Sequence, residues 1–205
     1  MTEEKALQVL RDTREALDKD PPEPLHVSDE VYERYQQHFR PGQVETISEE
    51  IIESFLDYEN NQHWSSLQRN KSNLTADMGS LREGLSMLVD DDRPLAPRFT
   101  EAIRRVKGMG EGTASAILHV AYPDRYGVWN GTSEGQMDRL DLLPEFEGRA
   151  TKGEKYEELN DVLRLLSEEL SLDLWILDIL WSELRDREIR GEYGASTEAA
   201  SGLGP

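Results

Sequence analysis

The chain of 205 residues contains no cysteine, which excludes disulfides and thiolate metal centres. Lysine is scarce: six of the 23 basic residues are lysine and the other 17 are arginine. No long hydrophobic run is present. The most apolar stretch, Leu172 to Trp181, is short and interrupted by Asp173 and Asp178, so it cannot span a bilayer. No segment alternates apolar and polar residues with period two, which removes the strand signal. Four histidines, His26, His38, His63 and His119, show no metal-ligand spacing, so no metal site is expected. The first residues, MTEEKALQVL, are acidic and polar, unlike a signal peptide. The expected location is the cytoplasm, with no membrane association.

What is abundant is carboxylate. Asp and Glu number 42 and set a formal net charge of −19. Such a chain repels nucleic acid unless its positive charge is local or salt screens the remainder. Many carboxylates, few lysines and no cysteine together match the composition of halophilic proteins, and an acidic mesophilic protein is the plainer alternative.

Helical periodicity runs through the sequence and predicts an all-α fold of eight to ten helices. Residues 1–25 read as an N-terminal helical arm, ended by Pro21, Pro22 and Pro24. Residues 26–190 read as the main domain, and residues 191–205, rich in small residues, as a disordered tail. Ser28 is the expected N-cap of a helix carrying Val31, Tyr35 and Phe39 on one face. Thr46 with Glu49 reads as a capping box before Ile51, Ile52, Phe55 and Leu56. A helix over 76–89 turns Leu81, Leu85 and Leu88 inward. Its following acid run, Asp90 to Asp92, reads as a solvated loop. Ser133 with Gln136 reads as a capping box, and Ser171 as the cap of the last helix.

The segment Tyr58 to Trp64 is dense in polar and aromatic side chains. Asn60, Asn61, His63 and Trp64 could line a pocket that stacks and hydrogen-bonds a base. The bland alternative is a polar helix end with His63 and Trp64 packed on a neighbour.

From Arg93 to Gly110 the charge changes sign. Arg93, Arg98, Arg104, Arg105 and Lys107 stand against Glu101 alone, five cations to one anion. Phe99, Ala102, Ile103 and Val106 form the inner face, which leaves Arg98, Arg104, Arg105 and Lys107 for solvent or a partner. The string Val106-Lys107-Gly108-Met109-Gly110-Glu111-Gly112-Thr113-Ala114 then places two glycines between two helices. Glycine permits positive φ in a tight turn and lets a phosphate approach the backbone. The free N–H groups that open the second helix point at such an anion.

This string resembles the signature of the helix-hairpin-helix superfamily of base-excision DNA glycosylases. The loop that follows, Tyr122 to Asn130, is similar to the one that delivers their catalytic aspartate. The resemblance covers residues 98–143. It implies an all-α glycosylase-like fold and DNA as partner, held by non-sequence-specific backbone contacts from Arg104, Arg105, Lys107, Gly108, Gly110 and Thr113. It implies no organic cofactor, and a monovalent cation on the hairpin carbonyls.

Two positions depart from the family pattern. Asn130 stands where the aspartate belongs, and an amide cannot act as a base or carry negative charge. Gly112 stands where bifunctional relatives carry a nucleophilic lysine. A carboxylate displaced to Asp124, Asp138 or Asp178 would restore hydrolytic chemistry. Trp129 and Asn130 join the base-pocket candidates, with packing as the alternative for Trp129. His119 reads as a core histidine, and Asp178 as either a structural ion pair or a carboxylate in a pocket. Three functions remain open: a DNA-binding hairpin protein of repair or defence type without standard glycosylase chemistry, an active glycosylase with a displaced carboxylate, and a protein–protein module on the same scaffold.

Overall fold

In the computed structural model, residues 1–192 are described. The expected tail falls almost wholly on residues 193–205, outside the described residues. Every regular element among the described residues is helical. In chain order they are α1 (Glu3–Lys19), α2 (Ser28–Tyr35), α3 (Glu49–Leu56), α4 (Tyr58–Asn61), α5 (Lys71–Thr75), α6 (Met78–Val89), α7 (Leu95–Arg105), α8 (Glu111–Ala121), α9 (Gly131–Arg139), α10 (Lys152–Leu170) and α11 (Leu174–Ile189). Four 3₁₀ turns lie in three of the connections, two of them between α2 and α3.

Apolar spacing decides which faces meet. Helix α7 lies between α6 and α10. Its approach to α10 is close because Gly153 has no side chain: a Cβ there would stand 1.7 Å from the Ala96 carbonyl oxygen. Phe99 and Tyr156 stack across this contact at 4.2 Å. Helix α11 packs on α9 and on α1, whose Ala6, Leu10 and Leu17 are buried in the same core. The α8 helix is buried along almost its whole length and forms the centre of the molecule.

Helix starts follow capping chemistry, in places one or two residues from where the sequence suggests. Ser48, not Thr46, caps α3 by accepting from the Ile51 amide. Ser28 is the first residue of α2, without a capping bond, rather than its cap. Asp173 caps α11, while Ser171 ends α10 in the left-handed conformation. Asn130 caps α9, and Ser133 is its reciprocal partner in a capping box.

The basic stretch is less free than its sequence suggests. Arg98 is 1 % exposed and reaches inward. It donates to the Leu88 carbonyl, the Asp91 carboxylate and the Tyr126 hydroxyl. Asp91, expected to be solvated, also accepts from Arg125 and Tyr126. Partial desolvation pushes its carboxyl up, but the bonds from Tyr126 and Arg125 and the charges of Arg125 and Arg98 outweigh this and hold it below the usual carboxylate range. Arg93 pairs with Glu101 and Arg105 with Glu83. Arg104 and Lys107 are exposed and make no ion pair among the described residues.

Candidate functional site

Helices α7 and α8 pack together, joined by the turn Val106–Gly110. Gly108 takes φ +86°, and a Cβ there would meet the Asn73 Cβ at 2.8 Å, so both backbone and space require glycine. Gly110 differs from expectation. Its φ is −106° with extended ψ, and nothing lies within 4 Å of where its Cβ would be. Neither conformation nor packing requires glycine there, and the bare backbone opens the N-terminus of α8. Met109 is buried and anchors the turn. The Val106 and Gly110 carbonyls already accept from Met109 and Ala114.

Beside the turn lies a shallow groove of about 330 Å³, lined by Gly110 to Thr113 on one side and Trp129 and Asn130 on the other. It runs into a deeper cleft of about 530 Å³. Four residues line both: Ser66, Arg69, Asn130 and Gly131. The two spaces therefore adjoin, and together they make a trough that extends from the α8 N-terminus past these four residues to Asp178.

At the bottom of the cleft is Asp178, 4 % exposed, one turn into α11. Two donors and a histidine ring surround its carboxylate. Trp64 Nε1 donates to Oδ2 at 2.8 Å. Asn130 Nδ2 donates to Oδ1 at 3.3 Å. His63 Nε2 stands 2.8 Å from Oδ2 but off the line a ring N–H needs for a hydrogen bond. Nε2 is thus left without a hydrogen-bond partner in a side chain only 6 % exposed. A buried carboxylate needs such partners, since burial without them costs several kcal/mol, on the order of 3–5 when one partner is removed.

Local sequence explains how the donors arrive there. Asn61 uses both ends of its amide: Nδ2 donates to the Phe55 and Asp57 carbonyls, and Oδ1 accepts from the His63 and Trp64 amides. With Gln62 in the left-handed region at φ 55°, this knot turns the chain sharply after α4. His63 and Trp64 are thereby aimed at α11. Trp64 and Trp175 meet edge to face at 5.2 Å, and His63 lies 4.8 Å from Trp175.

Asn130 is held as firmly. Its Oδ1 accepts from the Thr132 and Ser133 amides, which fixes the amide and leaves Nδ2 facing Asp178. An aspartate at 130 would place a second carboxylate against the first. Gly112 faces the same place: a Cβ on it would stand 3.6 Å from the Trp129 carbonyl oxygen and 3.9 Å from the Asn130 Cβ.

His63, Trp64, Asn130 and Asp178 thus come together from three separate parts of the chain. The remaining candidates lie elsewhere. Asn60 accepts from Arg34, and Asn61 is fully used within its own turn. Trp129 is buried, stacks in parallel on Tyr156 and donates to Glu134, and it lines only the shallow groove. Thr113 is buried in the first turn of α8. Asp124 and Asp138 are exposed and line neither space. Arg104, Arg105 and Lys107 sit on the α7 side of the turn and are not lining residues of the groove.

His119 completes the aromatic layer behind the cleft. Its Nδ1 meets the Tyr126 carbonyl at 2.8 Å, which can only accept, so Nδ1 carries the proton. Nε2 then accepts from the Tyr32 hydroxyl. Burial pushes the His119 pKa down, against smaller opposing effects of the Tyr126 carbonyl and the Asp178 charge. Arg69 and Arg185 are functional candidates that sequence reasoning missed. Neither belongs to a basic cluster or a recognisable motif, and only the fold brings them to the cleft.

Among the described residues, no group of three or more acidic, histidine or cysteine side chains could hold a metal ion, and no helix is long and apolar enough to cross a membrane. Comparison of the chain with protein-family models, with curated proteins and with solved structures finds no match.

Proposed function

We propose that the chain is a DNA-binding protein that holds a phosphate backbone at the α7–α8 turn and receives an unstacked nucleoside in the adjoining cleft. The observation that carries this reading is the adjacency of the two spaces: the groove at the open Gly110 backbone and the polar cleft around Asp178 share Ser66, Arg69, Asn130 and Gly131. The turn offers unobstructed amides at the positive end of α8, and Arg104 and Lys107 flank it as cations without internal partners among the described residues. Such contacts position a backbone and read no sequence. The net charge of −19 opposes association, so attraction is local and salt-sensitive. The likeness to the helix-hairpin-helix glycosylases supports the same reading.

The test is a titration of a short labelled duplex at several salt concentrations. Lys107→Ala and Arg104→Ala should each weaken binding and lower the slope of log K against log salt by about 0.9 for each phosphate that the variant leaves unneutralised. Equal slopes in wild type and variants would contradict the backbone contact.

A second reading, hydrolysis of the N-glycosidic bond of the bound nucleoside, is favoured by the position of Asp178. It touches Asn130, the residue standing where the relatives carry their aspartate, so the trough has one carboxylate at that place although α9 does not supply it. A buried carboxylate can stabilise positive charge that develops on a sugar as a base departs. Release of free base from damaged or mismatched duplexes by wild type and not by Asp178→Asn would support this. Absence of abasic product across a lesion panel, with binding intact, would leave the protein as a binder.

A further inference from the structure

The two ends of the cleft are chemically unlike. At the inner end His63 Nε2 is buried with no hydrogen-bond partner, and Asp178 Oδ1 accepts only the long bond from Asn130. Asp178 Oδ1 keeps capacity to accept from the polar edge of a heterocycle, and the His63 ring lines the same end of the cleft. At the outer end stands Arg69, exposed, without an ion pair or side-chain hydrogen bond among the described residues. Other cations around the trough are engaged: Arg185 with Asp186 and Thr132, and Lys152 with Glu111. Arg69 is the one cationic side chain among the residues that line both the cleft and the groove beside α8.

A neutral ligand would fill the inner end and leave the guanidinium idle. A bare phosphate would do the reverse. A ligand that joins a polar heterocycle to a phosphate satisfies both ends at once, and a cleft of about 530 Å³ is of the size that takes such a molecule.

We infer that the trough is a two-point nucleotide site, with Arg69 gripping the phosphate of the nucleotide whose base lies against His63 and Asp178. This deepens the proposed DNA-binding function and rests on it for the source of the nucleotide. A guanidinium suits the role because its planar donor fork binds phosphate oxygens in pairs. Arg69 then acts where the strand leaves the turn and enters the cleft. Lys107 and Arg104 act on the uninterrupted backbone.

The test uses the full chain and four nucleoside 5′-monophosphates, the matching nucleosides, a short single strand and a plain duplex, each titrated against wild type, Arg69→Ala and Lys107→Ala. Binding is followed by NMR shifts of the tryptophan indole N–H groups and by anisotropy for the labelled strands. At least one monophosphate should bind about tenfold more tightly than its nucleoside, the value of one charge-assisted contact. Arg69→Ala should erase that difference while leaving nucleoside affinity unchanged. Lys107→Ala should weaken the duplex alone. Binding of free monophosphates but not of strands would keep the two-point site and sink the DNA reading. Duplex binding with no preference for monophosphate over nucleoside, or with a preference that survives Arg69→Ala, would overturn the nucleotide site and leave the backbone contact standing.

Discussion

Asn130 and Asp178, 48 residues apart in sequence, meet at 3.3 Å across the floor of the cleft, the amide donating to the carboxylate. The amide cannot turn round, because its oxygen already caps α9 through the Thr132 and Ser133 amides. One position therefore holds the neutral partner and the other the charge. The pair accounts for an asparagine, and not a second carboxylate, at position 130.

Exchanging the amide and the carboxylate should be tolerated better than doubling or deleting the charge. Asn130→Asp puts two carboxylates in contact and should cost about 1–3 kcal/mol at neutral pH. Asp178→Asn, which removes the charge that Trp64, His63 and Asn130 all face, should cost a similar amount, about 1–3 kcal/mol. The double variant keeps one carboxylate and one amide and should recover about 1–2 kcal/mol relative to the sum. Urea denaturation of the four proteins measures this. Additive losses would mean that the two side chains do not interact.

The two glycines of the turn should separate stability from binding. Gly108→Ala meets positive φ and the Asn73 Cβ, so it should lose about 1–2 kcal/mol. Gly110→Ala meets neither and should stay within about 0.5 kcal/mol of wild type. If a phosphate lies against this backbone, Gly110→Ala should nevertheless weaken duplex binding severalfold. A stable Gly110→Ala protein with unchanged affinity would remove the turn from the interface.

Arg98 and Arg104 look alike in sequence and should behave oppositely. Arg98→Met removes the buried donor to the Leu88 carbonyl, Asp91 and Tyr126 and should cost about 3 kcal/mol. Arg104→Ala, on an exposed side chain, should change stability by less than about 0.5 kcal/mol. Thermal denaturation distinguishes them directly.

His119 should make stability fall in weak acid. Its folded pKa lies below the unfolded value because burial excludes the charged ring. The neutral ring is thus fully accommodated above about pH 6.5, the unfolded value. As pH drops below that, the unfolded chain takes up a proton that the folded protein refuses, and stability declines by at most about 1.4 kcal/mol per pH unit. Between about pH 6.5 and 5, His119→Gln should show a shallower decline than wild type. Parallel curves would assign the acid sensitivity to other groups.

The class of fold was plain from periodicity, because amphipathic helices repeat their apolar positions locally. The α7–α8 turn was legible too, since Gly108 and the buried Met109 act within a few residues of each other. Arg98 was misjudged. A helical stripe tells inside from outside only to within one residue, and an arginine can be drawn inward by a carboxylate such as Asp91. The site itself was legible only as fragments. His63, Trp64, Asn130 and Asp178 each stood out for local reasons, but contacts such as Trp64 to Asp178, 114 residues apart, depend on the packing of α11. Arg69 carried no local signal at all, because what marks it is its place in the trough, free of any ion pair among the described residues.

The measurement that bears most directly on the trough uses a duplex with 2-aminopurine opposite an abasic site, so that the base is easily unstacked. Anisotropy of an end label reports whether the duplex is held, and 2-aminopurine fluorescence reports whether the base leaves the stack. Wild-type protein should raise both signals at the same protein concentration, and Arg69→Ala should raise the anisotropy with a smaller rise in 2-aminopurine fluorescence. An anisotropy that stays at the value of free DNA at both low and high salt would contradict the account.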